Sequence, residues 1–210
     1  MAIFADRAHA GRVLAGELSQ WRGSDAVVLG IPRGGVVVAA EVARDLLLPL
    51  GVAVVRKLGA PHHDEYALGA IAEGVRIVDR EALRAENVSP ARLAAVERKE
   101  RAELARRRKS FEPTPADLRG RTVIVVDDGI ATGATARAAC MAQRARGAAR
   151  IVLAAPVAPA SWTPDPADID EYVCPHRERD FWAVGQFYDD FTQTTDDEVL
   201  RLLARDVGRP

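Results

Sequence analysis

The strongest constraint on this chain is residues 121–135, Arg-Thr-Val-Ile-Val-Val-Asp-Asp-Gly-Ile-Ala-Thr-Gly-Ala-Thr. Thr122–Val126 is a β-branched run and reads as a buried strand of a parallel sheet. Asp127 and Asp128 fall where that strand ends. Residues 129–135 are small, and an apolar helical pattern follows. A strand, a small-residue turn and a helix start predict an anion pocket. The first-turn N–H groups are unpaired, the helix dipole is positive there, and small side chains let a phosphate reach the backbone. Two carboxylates would repel that phosphate, but they suit hydroxyl groups carried beside it. A sugar phosphate meets both demands.

The same design occurs once more near the start. Residues 26–31 read as the first buried strand, followed by Pro32-Arg33-Gly34-Gly35 and an apolar helix over 36–47. This turn carries an arginine in place of acids, so it suits an anion with no hydroxyls to satisfy. A plain strand-to-helix turn with an exposed arginine is the alternative. Residues 52–55 predict a second strand ending in Arg56-Lys57. Ligands gather at the carboxyl ends of strands in open α/β sheets, so these cations are candidates for the same anion, against a solvated strand edge.

Taken together, these residues resemble the phosphoribosyl diphosphate (PRPP) motif of the type I phosphoribosyltransferases: hydrophobic strand, two acids, then a Thr-Gly-x-Thr loop. The resemblance implies an α/β fold with a mostly parallel central sheet flanked by helices, a helical insertion and a small C-terminal hood. It implies that Asp127 and Asp128 hold the ribose hydroxyls. Ala131, Thr132, Gly133, Ala134 and Thr135 would wrap the 5-phosphate. Arg33, Gly34 and Gly35, with Arg56 and Lys57, would hold pyrophosphate, and family members often have a strained peptide bond beside those glycines. The implied reaction moves the phosphoribosyl group of PRPP to a nitrogen nucleophile, a nucleobase-like acceptor, and releases pyrophosphate. Mg²⁺ would bridge pyrophosphate and ribose, meeting Asp127 and Asp128 mostly through PRPP and water. A homodimer is implied on the same ground. Hypoxanthine–guanine enzymes carry an aspartate at the place of Ala131, whereas adenine-type enzymes have alanine, so the identity of the small-molecule acceptor stays undefined.

Residues 59–69 are the least regular part of the first half. The resemblance implies a mobile loop here that closes over the reacting centre, since a developing ribosyl cation must be kept from water. Within it Glu65 is the candidate acid–base group for the acceptor. His62 and His63 read as a solvated loop tip, since consecutive loop residues rarely converge on one metal ion. Residues 68–72 and 75–78 predict two strands. Residues 79–111 form an insertion, with Asp79 capping a short helix and Ser89-Pro90 starting a longer one. Arg106 to Lys109 at its end reads as a solvated helix terminus, with a contact to nucleic acid or an acidic partner as the alternative. Further on, a helix over 134–146, strands over 151–157, 171–174 and 181–187, and a closing helix over 196–204 complete the chain as a single domain, with 165–195 as the hood. An amphipathic helix over 6–21, capped by Asp6, precedes it all.

Composition narrows the class. A net charge of −1 gives no reason to expect nucleic acid or an anionic membrane surface as partner. Two cysteines, Cys140 and Cys174, in no paired-ligand spacing argue against a disulfide framework or zinc site. No apolar run reaches spanning length and no signal-peptide core opens the chain, so a cytoplasmic location is expected. Two rivals to the enzyme remain at this point. One is a phosphoribosyltransferase-fold regulator that binds PRPP or a nucleotide without turnover. The weaker is a nucleotide-dependent oxidoreductase, which lacks a G-x-G-x-x-G turn after its first strand.

Overall fold

In the computed structural model, residues 2–60, 63–111 and 117–206 are described, with the side chains of 63–66 and 205–206 left aside. Five strands build an all-parallel central sheet: β1 (Val27–Gly30), β2 (Leu50–Val52), β6 (Thr122–Val126), β7 (Arg150–Ala154) and β9 (Glu171–Val173), in the order β2-β1-β6-β7-β9. Their near-continuous apolar sequences follow from burial on both faces. Alternate residues divide between the faces: Val27, Leu29, Val123, Val125, Ile151 and Leu153 lie in one core cluster, and Val28, Ile124, Val126, Val152 and Ala154 in the other.

Helix α2 (Gly34–Leu46) packs on the second face, with α1 (Arg7–Glu17) and α6 (Asp196–Asp206) against it, while α5 (Ala134–Ala145) covers the first. Asp6 caps α1 by accepting from His9 N–H at 2.6 Å. Leu14 and Leu18 bury the inner face of the first helix, as its spacing predicts.

Strands β3 (Val55–Ala60), β4 (His63–Ala72) and β5 (Val75–Val78) form a separate antiparallel sheet. One side of it packs on α5. The other carries the insertion, α3 (Arg80–Ala85) and α4 (Pro90–Ser110). Both insertion helices start as expected: Asp79 accepts from Glu81 and Ala82 N–H, and Ser89 accepts from Arg92 N–H with Pro90 in the first turn.

Four expectations are corrected by the structure. Residues 59–69 are not an irregular loop, because most of them belong to the β3–β4 hairpin, whose register shifts at Gly59 absorb the irregular sequence. The predicted strand over 52–55 is two strands of different sheets, so Arg56 and Lys57 lie inside β3 and not at a strand terminus. Residues 181–187 are no strand: Val184–Phe187 is a 3-10 turn, stabilised by Gln186, whose side-chain oxygen accepts from Trp182 and Ala183 N–H.

The predicted strand over 151–157 likewise splits, β7 staying in the central sheet and β8 (Val157–Pro159) pairing with β10 (His176–Glu178). The C-terminal segment then folds back on the chain's beginning. Phe181, Val184, Phe187, Tyr188 and Phe191 pack with Ile3, Phe4 and Val13 into a small core, leaving Trp182 91% exposed.

Candidate functional site

The site forms where β1 and β6 end. The two strands pair in parallel with Gly30 opposite Val126, so the two turns that follow them emerge side by side. Ile31 N–H donates to Val126 O at 2.8 Å, extending that pairing into the turns. The Pro32–Arg33 peptide bond is cis, and α2 starts at Gly34. Close approach explains both glycines. A Cβ on Gly35 would lie 2.8 Å from Val126 O and 2.9 Å from Asp127 Cα, and one on Gly34 would overlap the Asp128 carboxylate. The Arg33–Gly35 turn and the acid pair therefore touch.

Asp127 and Asp128 are held by their surroundings. Asp127 N–H donates to Ala154 O at 3.2 Å, and Asp127 Oδ1 accepts from Asp128 N–H at 2.9 Å. Tyr188 OH donates to Asp128 O at 2.5 Å. Burial pushes the Asp127 carboxyl well above the usual carboxylate range, and the charge of Asp128 adds to that. Burial also raises Asp128, with the guanidinium of Arg7 opposing it. Arg7 Nε lies 2.7 Å from Asp128 Oδ2.

Residues 131–135 form the turn into α5, as the small-residue run predicts. Gly133 has φ +78°, which favours glycine, and its carbonyl accepts from Arg137 N–H at 2.8 Å. The first N–H groups of α5 thus face the turn. Trp162 lies against it: a Cβ on Gly133 would overlap the indole, and Trp162 Nε1 donates to Thr132 O at 3.2 Å. Arg177 donates to the carbonyls of Ala160 and Trp162, which fixes the chain that carries the indole.

The remaining predicted residues divide. Arg33 joins the site, with NH1 3.8 Å from Asp196 Oδ1 at the start of α6. Arg56 points the other way, toward the insertion, where Glu100 of α4 accepts from its Nε at 2.7 Å and its NH2 lies 2.6 Å from the same oxygen. Lys57 follows Arg56 in an extended strand and so faces the opposite side, shared with Val55 and α5. The two cations do not act as one pair. The side chains of Glu65 and His63 lie outside the described residues, as does His62. Ala131 is exposed.

Glu100 is 8% exposed and pairs with Arg56 beneath β3. Glu100→Ala is expected to lower stability by about 2–3 kcal/mol, because it strands a partly buried guanidinium and removes packing under β3. Denaturant titration measures this, and a loss under about 0.5 kcal/mol would show that the pair contributes nothing. Three cations of the basic cluster at the end of α4 have partners within the chain: Arg106 and Arg107 bond Glu103, and Arg108 pairs with Glu73. Sequence alone held no sign of Arg7, Trp162 or Tyr188, whose partners are remote in the chain.

A family model described as the phosphoribosyl transferase domain matches residues 3–192. The chain belongs to that family. Mycobacterium tuberculosis proteins bearing a provisional phosphoribosyl transferase name are 50% identical over 209 residues, covering 98% of this chain and 47% of theirs. The phosphoribosyl transferase domain described here therefore spans about half the length of the curated relatives it matches. Among solved structures, TT1426 from Thermus thermophilus is 41% identical, with 98% of this chain and 99% of that one covered and a TM-score of 0.74. A Neisseria gonorrhoeae protein at 16% identity and TM-score 0.51 shares the fold over 100% of this chain and 98% of its own. The domain's α/β fold, a central parallel sheet flanked by helices, is that of the type I phosphoribosyltransferases. No helix among its described residues is long and apolar enough to cross a membrane.

Proposed function

We propose that this domain transfers the 5-phosphoribosyl group of PRPP to a nitrogen nucleophile and releases pyrophosphate. The observation that carries the proposal is the in-register pairing of β1 and β6, which sets an arginine–glycine turn against a carboxylate pair that leads into a helix-start loop. These features suit the three parts of PRPP: pyrophosphate at Arg33 to Gly35, ribose at Asp127 and Asp128, 5-phosphate at Ala131 to Thr135. In the reaction the acceptor nitrogen's lone pair forms the bond to C1 as the C1–O bond breaks. That bond's electron pair leaves with pyrophosphate, and the nitrogen's surplus proton passes to a base or to water.

The chain's residues contribute by positioning and by charge. The acid pair orients ribose through its hydroxyls, and Arg33 stabilises charge that grows on the leaving group. Lys57, on the α5 side of β3, is retained as a second candidate cation, whereas Arg56 acts in the first place on Glu100. Glu65 is retained as the candidate base for the acceptor. Two adjacent carboxylates beside a diphosphate site suit Mg²⁺, which takes one or two carboxylates and fills its remaining positions with substrate phosphates and water. Asp127 and Asp128 would hold it, and the ion would supply charge to pyrophosphate. A cytoplasmic homodimer acting on a nucleobase-like acceptor completes the proposal.

Pyrophosphate release from PRPP and Mg²⁺ across a panel of nitrogen bases tests it. Base-dependent release is expected. PRPP binding with no release for any base would instead identify a regulator that senses PRPP. Arg33→Ala is expected to weaken pyrophosphate binding by about tenfold or more, while ribose 5-phosphate binding changes little. Calorimetry with the two ligands separates these effects, and equal weakening of both would make Arg33 structural.

A further inference from the structure

Arg7 opens α1, 121 residues from Asp128, yet its guanidinium sits within the proposed PRPP site. Nε donates to Asp128 Oδ2 at 2.7 Å, and NH1 donates to Thr192 O at 2.8 Å. The guanidinium carbon lies 3.8 Å from the centre of the Phe191 ring, a cation–π contact. The side chain is 11% exposed, so this is a built position and not a surface arginine at rest. NH2 makes no hydrogen bond to any described residue.

Two facts set what this cation does to a ligand. First, it occupies an oxygen of the carboxylate that the PRPP reading gives to a ribose hydroxyl. The guanidinium bond to that oxygen carries charge on both partners, whereas a ribose hydroxyl brings none of its own, so a hydroxyl alone competes poorly there. Second, Arg7 touches the turn assigned to pyrophosphate. A Cβ on Gly34 would overlap the Asp128 carboxylate and lie 2.5 Å from Arg7 Nε. Acid, arginine and glycine turn thus converge on one point. A diphosphate seated on that turn brings several anionic oxygens, and a guanidinium is suited to engage them as a fork.

We propose that Arg7 is a specificity-determining residue that holds Asp128 until a diphosphate draws the guanidinium over to itself, so that ligands carrying a pyrophosphate gain the ribose carboxylate and plain sugar phosphates do not. The inference rests on the PRPP reading of the site and extends it to discrimination. Ribose 5-phosphate has the phosphate and the hydroxyls but must displace Arg7 unaided. PRPP provides Arg7 with another partner in the same step. Thr192 and Phe191 keep the guanidinium within the site during the exchange.

Calorimetry of the full chain with ribose 5-phosphate, with Mg²⁺-pyrophosphate and with PRPP tests this in wild type, Arg7→Gln and Arg7→Lys. For Arg7→Gln the two half-ligands are expected to shift in opposite directions: ribose 5-phosphate binds about tenfold tighter and pyrophosphate about tenfold weaker. The preference for PRPP over ribose 5-phosphate falls accordingly. A clamp with only a structural role would weaken both ligands together, and that result, like no change in either, overturns the proposal. Arg7→Lys keeps the charge but loses the fork, so it should show the same opposed shifts at smaller size. If Arg7→Gln does not fold, Arg7→Lys decides by the same criterion. Wild-type protein that binds none of the three ligands would overturn the PRPP reading itself, an outcome separate from parallel shifts in the variants.

Discussion

Replacing Asp127 and Asp128 together by asparagine is expected to weaken PRPP binding by about ten- to a hundredfold, because asparagine keeps hydrogen-bonding atoms but loses the charge that strengthens bonds from ribose hydroxyls. The single variants should share that loss but differ in stability. Asp127 is a half-buried acid raised well above its ordinary value, chiefly by desolvation and then by its neighbour's charge. Its ionised form therefore opposes folding. The sign follows from proton binding: between the unfolded carboxylate value, about 4, and the raised folded value, the native state binds more protons, so stability falls as pH rises. Asp127→Asn removes that penalty and should melt higher than wild type at neutral pH, with the difference fading near pH 4. At Asp128 the Arg7 guanidinium offsets part of the burial penalty and would lose its carboxylate partner, so Asp128→Asn should melt lower than Asp127→Asn. Calorimetry with PRPP and thermal melts at both pH values check these outcomes. Unchanged PRPP affinity in the double variant would remove the ribose assignment.

Gly133→Ala should be the most damaging single-methyl change in the phosphate loop. Gly133 has φ +78°, and its added Cβ would overlap the Trp162 indole. Left-handed strain and overpacking together imply a loss of about 2–4 kcal/mol. The loop must shift or the indole must leave, so ribose 5-phosphate affinity should fall as well. The second-site test is specific: Gly133→Ala with Trp162→Ala should lose less than the sum of the two single variants, since the smaller side chain makes room for the methyl. Denaturant titration of the four proteins gives the coupling. Additive losses would show that Trp162 does not set the loop.

What could be read from the sequence was what local chemistry decides. The β6–turn–α5 unit is written in consecutive residues, with a buried strand pattern, two acids and a small-residue turn, and its burial and backbone match that pattern. Helix starts at Asp6, Asp79 and Ser89 were legible for the same reason, since a capping side chain reaches only its own first turn. Arg56 was not legible, because its partner comes from an insertion helix 44 residues on and its strand belongs to a second sheet. The run over 181–187 has strand-like aromatics, but Gln186 bonds the backbone locally and wins it for a 3-10 turn. Arg7 is 121 residues from Asp128, and no pattern in a single sequence announces such a pair. Trp162 sits among prolines in an irregular stretch, where periodicity carries no signal.

The meeting of residues 3–7 with residues 187–192 has a kinetic consequence. Ile3 and Phe4 N–H both donate to Phe187 O, Asp189 and Asp190 N–H donate back to Phe4 O and Ala5 O, and Arg7 reaches Thr192 across 185 residues. Contacts of such separation bring the largest loop-closure cost and give nothing back until the sheet between them exists. The clasp should therefore close after the β1–β6 core has formed, and Asp128 acquires its arginine only at that moment. The discrimination proposed for Arg7 would then be acquired late, after the central sheet has formed. In native-state hydrogen exchange, the amides of Phe4, Asp189 and Asp190 should open at lower free energy than those of β6, marking the clasp as the unit that comes apart first.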